Sequence, residues 1–435
     1  MKNNIFLKLF TFLFLFFIQF NVFCLEFNDY APRPDYVSNY DKPFNQYTWL
    51  VAHNAYSNYS NFSNQYGIKI SKQLELGVRG LMLDLYDFND EIYLCHKTCL
   101  LSEYGTFVEE MNNTIIPFLE NNPNEVLTLF LEDHSSKDFF KRALNQVKDL
   151  SKYVFNPQKW NDRSNWPTLN ELIQKNQRLF IISENEKNSG YFEINSGEVH
   201  VIFGQDISVE NYWSLGDTYM SHDYRCYSRW KDISLSTEKA SPFYNYWDRI
   251  FVMNQFHGIP YAPHSEEDNK FYKLKKREEK YCKPYSKRFP NFIAVDNITH
   301  GNALEYVEWH NNGGILFYNK NFNYESLVCG LATTFNRKIP LYKAGCYDYV
   351  TKAQLQGVPK GTKILIYSSD YNLNNSEYTE IEVLNDLNFT EPINIDSFDA
   401  SFENKNFKLK YFGKNGMKDS VYAVEIIRSN IKNDN

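Results

Sequence analysis

The stretch "YTWLVAHNAYSN", residues Tyr47 to Asn58, holds an apolar run, Trp49-Leu50-Val51-Ala52, that stops at His53-Asn54. The run has the length and residue types of a buried strand. Its polar ending has a plain explanation, since Asn favours the turn that follows a strand. The other explanation is that the fold delivers a histidine and an amide to one rim. Which one holds depends on whether other strands end the same way.

They do. "GVRGLMLDLYDF" carries Asp84 near the end of its apolar run, and "DEIYLCHKTC" carries His96 just after the next. "VLTLFLEDH" ends in Glu132-Asp133-His134, and "PNFIAVDNITHG" delivers Asp296. Each residue alone reads as an ordinary polar strand end. Together they bring His-Asn, Asp, Glu-Asp and Asp to four strand ends, with a second His close by.

The surrounding pattern predicts how those ends meet. Short apolar runs at 48–52, 81–85, 126–131, 178–182, 199–203, 250–254, 292–295 and 315–318 alternate with helix-like stretches. Thr106 with Glu109, and Thr168 with Glu171, have capping-box spacing, and Asn122-Pro123 closes the first of these helices. Such alternation predicts parallel strands with crossover helices, and about eight of them favour a closed β/α barrel over an open sheet. Barrel enzymes carry their functional residues at the carboxyl ends of the strands. The expected fold class is therefore α/β, a distorted TIM-type barrel over residues 25–338. From Ile339 the runs become β-rich and helix patterns vanish, which predicts a small all-β C-terminal module over 339–435. No chemistry is legible in that module.

The bulk properties narrow the function. Asp and Glu number 53 against 46 Lys and Arg, a net charge of −7, which argues against nucleic acid as a partner. Leu9 to Ile18 is almost wholly Leu, Phe and Ile, too short to span a bilayer, and reads as the core of a signal peptide over residues 1–24. A signal anchor is the rival reading. No later stretch is long and apolar enough to cross a membrane. Of 7 Cys, removing Cys24 leaves 7 − 1 = 6, an even set suited to disulfides in an oxidising compartment. Their pairing is open; Cys95–Cys99 is the most local option. Sequons stand at Asn58, Asn61, Asn112, Asn297, Asn374 and Asn388. The expected location is extracellular or the secretory-pathway lumen.

The strand-end residues suit phosphodiester chemistry. Two histidines can supply a base and an acid near neutral pH. The phosphoryl charge needs an Arg or a metal. An amide with carboxylates makes an all-oxygen site, favouring Ca²⁺ or Mg²⁺ over Zn²⁺.

At this point a resemblance becomes specific. "AHNAY", "GVRGLMLDLYDFNDEIYLCH", "EVLTLFLED" and "PNFIAVDNI", in that order, are similar to the X-domain region of phosphatidylinositol-specific phospholipase C, above all in small secreted eukaryotic X-domain-only proteins. The resemblance covers about residues 40–330 and leaves the C-terminal module outside. It implies a distorted barrel and a two-histidine mechanism acting on an inositol phospholipid or inositol-lipid anchor at a membrane surface. His53 matches the base that deprotonates the inositol 2-hydroxyl, which attacks phosphorus and expels diacylglycerol. His96 matches the acid that protonates the leaving oxygen, and Asp296 the carboxylate that orients His53. A cyclic inositol phosphate forms first.

The metal is where the chain departs from the pattern. Calcium-dependent members place an Asn, a Glu-x-Asp pair and a further Glu where this chain has Asn54, Met82-Leu83-Asp84 and Glu132. The metal-free bacterial version, with an Arg near the position of Asp84, is not matched either. The expectation is a sparse Ca²⁺ site of Asn54, Asp84 and Glu132, completed by water and substrate; a weak or absent site is the alternative. Asn54 and Asn254 are further candidates to touch the phosphate or headgroup. Two other functions stay open: a catalytically weak lipid-binding surface protein, and a barrel phosphodiesterase acting on another lipid.

Overall fold

Ten strands build the sheet that carries the polar strand ends. They are β1 (Trp49–Ala52), β2 (Gly80–Phe88), β3 (Glu91–Leu94), β4 (Leu127–Asp133), β5 (Leu179–Ser183), β6 (Gly190–Ile194), β7 (Gly197–Phe203), β8 (Ser208–Glu210), β9 (Ile250–Gln255) and β10 (Phe292–Val295). The computed structural model describes residues 37, 39–97, 99–100, 104–160, 164–346, 349–368, 377–414, 416–417 and 421–428. The expected signal peptide and the Asn374 sequon lie outside the described residues.

The sheet runs in the order β6-β7-β5-β4-β2-β1-β10-β9-β8, with β3 paired to β2. From β7 to β8 along this path every pairing is parallel. That requires crossover connections, and the helices over Ile70–Glu75, Phe107–Glu110 and Lys137–Gln146 fall within three of them. Both expected capping boxes form, at Thr106/Glu109 and Thr168/Glu171. The fold is mixed α/β. The expected closure into a barrel needs correction: β7 and β8 end the parallel run, and no ladder joins them among the described residues. The short helix Gly204–Ile207 links them instead.

Two further sheets follow, both antiparallel. β11 (Gly314–Tyr318), β12 (Leu327–Ala332), β13 (Arg337–Pro340), β14 (Lys352–Gln356), β15 (Thr362–Tyr367), β16 (Tyr378–Val383), β17 (Ile393–Ile395), β18 (Phe402–Glu403), β19 (Phe407–Phe412) and β20 (Ala423–Arg428) supply them. The four-stranded sheet has the order β12-β11-β14-β17, the six-stranded one β13-β20-β15-β16-β19-β18. The run at 315–318, expected with the barrel, belongs to the four-stranded sheet. Alternation along β11 explains its uniform apolarity: Leu316 and Tyr318 join the core cluster of the parallel sheet, while Ile315 and Phe317 join that of the module. The two antiparallel sheets thus begin at Gly314, ahead of the change in character read at Ile339.

Three disulfides join Cys95 to Cys99, Cys226 to Cys282 and Cys329 to Cys346. The basic stretch 273–288 is largely helical, with Lys275 and Lys283 paired to Glu279 and Lys276 and Lys280 to Glu325. Arg79, at the entrance of β2, is held by Glu125 and the carbonyls of Leu74 and Val78, a structural role. Among the described residues no helix is long and apolar enough to cross a membrane.

Candidate active site

Strand register decides which polar ends meet. β1 and β10 are parallel with Ala52 beside Val295, so the next residues, His53 and Asp296, emerge side by side. Asp296 Oδ1 lies 2.8 Å from His53 Nδ1. A carboxylate only accepts, so Nδ1 carries a proton, and in the neutral ring Nε2 is the atom with the lone pair. Asn64 donates from Nδ2 to the same Asp296 oxygen at 2.8 Å. The ring of Phe256 stacks on that of His53 with centroids 3.5 Å apart and planes within 10°. One hydrogen bond, to a carboxylate that Asn64 braces, and one apolar face therefore hold the imidazole in one orientation.

His96 reaches the site by a different route. β2 and β3 form a hairpin whose two-residue turn, Asn89-Asp90, has positive φ at both positions, 47° and 62°. Asn and Asp tolerate this conformation, and its twist suits a hairpin. The returning strand brings Cys95 N to the carbonyl of Asp84, and the Cys95–Cys99 disulfide closes a small ring around the next residues. His96 Nδ1 then sits 3.0 Å from Asp84 Oδ2. That hydrogen bond holds the imidazole above its ordinary pKa, against the opposing effect of burial.

Both histidines line one cleft of about 420 Å³, with Asn54, Met82, Asp84 and Glu132. Asp84 and Glu132 are direct register partners on β2 and β4, and Met82, two residues earlier, shares the face of Asp84. Asn54 follows β1 with φ 42°, in the left-handed region that Asn enters readily. One oxygen of Asp84, expected only as a metal ligand, also serves His96. Glu132 Oε1 lies 3.0 Å from His134 Nε2. The buried Tyr56 hydroxyl sits beside Asp84 without a hydrogen bond of ordinary geometry, and burial with that carboxylate pushes its phenol pKa well up.

Asn254 does not reach the cleft. Its side chain is fully buried, with Nδ2 donating to Glu210 Oε1 at 2.7 Å and to the carbonyl of Asn211 at 3.1 Å. The expectation that it touches substrate is corrected: it fixes Glu210, which does line the cleft. Asn297 is also buried, its Nδ2 donating to Ser265 Oγ.

The far wall holds charges that the sequence reading missed. Arg229 pairs through Nη1 with Glu184 Oε1 at 2.5 Å and Glu210 Oε1 at 3.0 Å. Burial pushes the Glu184 carboxyl up to about 8 against the pull of Arg229, with Glu210 and Glu132 adding to the rise. The side chain nevertheless keeps 38% of its surface open. Cleft water at that open side moderates the effect of burial. Glu184 follows β5 and Glu210 ends β8, so the strand-end rule extended to those strands finds both. Arg229 lies in the long connection 211–249, where no periodicity marks it, and Asn64 likewise sits in a loop.

The cleft therefore carries Asp84, Glu132, Glu184 and Glu210 against Arg229 and Lys97, with Arg229 already paired. It is acidic, and an anionic phosphodiester entering it needs a further positive charge. Asn54, Asp84 and Glu132 offer one amide and two carboxylates, hard oxygen donors of the kind Ca²⁺ takes. The donor chemistry fits such a cation.

Residues 40–215 match the family profile of the phosphatidylinositol-specific phospholipase C X region, "PI-PLC X 1". That segment of the chain is similar to a PI-PLC X domain. Over 273 residues the chain is 31% identical to the PI-PLC X domain-containing protein At5g67130 of Arabidopsis thaliana, covering 58% of each chain. It is 28% identical to PI-PLC X domain-containing protein 1 of Arthroderma benhamiae, covering 37% of this chain and 52% of that one. The chain thus spans little more than half the length of these relatives. Among solved structures, the phosphatidylinositol-specific phospholipase C from Listeria monocytogenes aligns over 65% of this chain and 99% of its own, at 16% identity and a TM-score of 0.41. The X-domain match covers β1 to β8, and hence His53, Asp84, His96 and Glu132; Asp296 lies beyond it.

Proposed function

We propose that the protein is a secreted phosphoric diester hydrolase that cleaves an inositol phospholipid or inositol-lipid anchor by two-histidine acid–base catalysis. The observation that carries this reading is the matched pair in one cleft: each histidine has its Nδ1 on its own aspartate. Each is thereby oriented, with Nε2 as its other proton-transfer site. His53, with a free Nε2 lone pair, accepts the proton of the inositol 2-hydroxyl as that oxygen attacks phosphorus. His96, kept protonated by Asp84, gives a proton to the departing glycerol oxygen. The product is diacylglycerol and a cyclic inositol phosphate, which the reverse roles then open with water.

Asn54, Asp84 and Glu132 would hold Ca²⁺, which when bound offsets charge developing on the phosphoryl oxygens. The acids of the far wall, Glu184 and Glu210, suit the hydroxyls of an unphosphorylated polyol, and the Glu210 and Glu132 carboxylates repel a headgroup bearing further phosphates. Three disulfides support an oxidising compartment. A second reading, a lipid-binding protein with little turnover, is favoured by one feature: the thioether of Met82 lines the cleft where a third acid would complete the cation site.

The test is an assay of purified protein on phosphatidylinositol, its 4,5-bisphosphate, glycerophosphoinositol and sphingomyelin, with Ca²⁺ and with chelator. The hydrolase reading predicts turnover of phosphatidylinositol, enhanced by Ca²⁺ and lower on the bisphosphate. Vesicle binding without turnover of any of the four gives the second reading.

A further inference from the structure

Beside the cleft, a second cluster plays no part in that chemistry. His222 comes from the long connection 211–249, His257 stands two residues past β9, and Asp268 ends the helix Ala262–Asp268. His222 Nε2 lies 2.8 Å from Asp268 Oδ1, and His257 Nε2 lies 3.0 Å from Asp268 Oδ2. One potential ligand atom from each lies within 4.8 Å of the other two, the one such His, Cys and acid grouping among the described residues. The two rings meet edge to face, with centroids 4.9 Å apart. Asp268 and His257 are buried, while His222 keeps 28% of its side chain exposed.

We propose that His222, His257 and Asp268 bind a divalent cation of the zinc class, as a second site at the edge of the cleft, which His257 also lines. Two imidazole nitrogens with one carboxylate are the donors that Zn²⁺ takes, at about 2.0–2.2 Å, whereas Ca²⁺ selects oxygen. Drawing the three atoms onto one ion needs only small side-chain movement from the spacing seen. The exposed side of His222 gives the ion a way in and leaves room for water as a fourth ligand. His257 Nδ1 is buried without a hydrogen-bond partner, so moving the ring proton to it, which frees Nε2 for a metal, exchanges an unsatisfied acceptor for an unsatisfied donor. Opposing the ion is the buried Arg277, whose charge is felt at Asp268. That repulsion sets the affinity below that of a site free of nearby cations.

The simplest competitor is a hydrogen-bonded clamp, since two Nε2–H groups already satisfy the carboxylate. The two differ in what they do to the cleft. His257 follows Phe256, whose ring backs His53. An ion at His257 would fix that segment and, with it, the stacking face of His53, so the site acts by positioning.

The experiment is Co²⁺ and Zn²⁺ titration of the full secreted chain, with His222→Gln and Asp268→Asn as test variants and Asp84→Asn as the cleft control. We expect one Co²⁺ per chain with the visible absorption of a four-coordinate nitrogen–oxygen site. That absorption should survive in Asp84→Asn. In His222→Gln it should vanish, and the affinity should fall by roughly 10-fold or more. Zn²⁺ should raise the melting temperature of the wild type and not of His222→Gln. Should Asp268→Asn not fold, His222→Gln decides alone, because that side chain is partly exposed. A wild type that takes up no ion, or one whose ion is lost in Asp84→Asn and kept in His222→Gln, overturns the proposal and leaves a clamp.

Discussion

His96 Nδ1 lies 3.0 Å from Asp84 Oδ2, so one carboxylate serves both the candidate acid and the candidate cation site. The same strand end thus links proton transfer to charge neutralisation. A change at Asp84 must disturb both.

The first expectation concerns protonation. The Asp84 hydrogen bond raises the pKa of His96. The acid form therefore persists to higher pH than in a free imidazole, and acid-dependent turnover falls as pH rises through the raised value. Asp84→Asn removes the charge, so the His96 titration should move to lower pH. NMR titration of the ring, without divalent metal, reads this directly and apart from any metal effect. A midpoint unchanged in Asp84→Asn would show that the contact does not set the pKa.

The disulfide around His96 gives the second. Cys95 and Cys99 flank the histidine in a loop that the Asp84 contact also holds. Replacing both with Ser should lower kcat more than it lowers stability, because closing so short a loop restricts the unfolded chain little. Thermal melting and kinetics on one preparation compare the two; an unchanged kcat removes the positioning role.

Arg229 gives the third. Its guanidinium joins Glu184 and Glu210 across the cleft wall, and its loss leaves two carboxylates facing each other. Arg229→Met should destabilise by on the order of 2 kcal/mol, less than the ~3–5 kcal/mol of a fully buried pair, because Glu184 keeps 38% of its side chain open. Denaturant unfolding measures it. Raising the pH should deepen the loss as Glu184, whose carboxyl is pushed up to about 8, gives up its proton.

The cation gives the fourth. Met82 shares a face with Asp84, so Met82→Glu adds an acid where the donor set is thin. Calorimetry should show tighter Ca²⁺ binding in Met82→Glu and weaker binding in Asp84→Asn than in the wild type. Equal affinities in all three would mean that Asp84 is not a ligand.

Much of this site was legible because strands announce their own ends. His53, Asp84, Glu132 and Asp296 follow apolar runs, and parallel register then sets neighbours side by side, as Ala52 beside Val295 does for His53 and Asp296. His96 was legible through its short run, although the hairpin that turns it toward Asp84 was not read. Residues in loops carry no period, so Asn64, Arg229 and His222 gave no signal. Asn254 misled because a strand-end amide looks the same whether it faces substrate or braces Glu210. β11 misled for a related reason. A strand buried on both faces reads as a continuous apolar run, and this one is buried between two cores of the chain and not inside a barrel.

The central claim is tested most directly by following phosphorus-31 NMR of phosphatidylinositol vesicles during turnover by the wild type, His53→Ala, His96→Ala and the double variant. The account predicts a cyclic inositol phosphate as the first product of the wild type. It predicts a loss of about 10²-fold or more in each single variant, with the double variant little worse because the pair acts as a unit. An acyclic inositol phosphate formed with no cyclic precursor, or single variants with near wild-type rates, would contradict it.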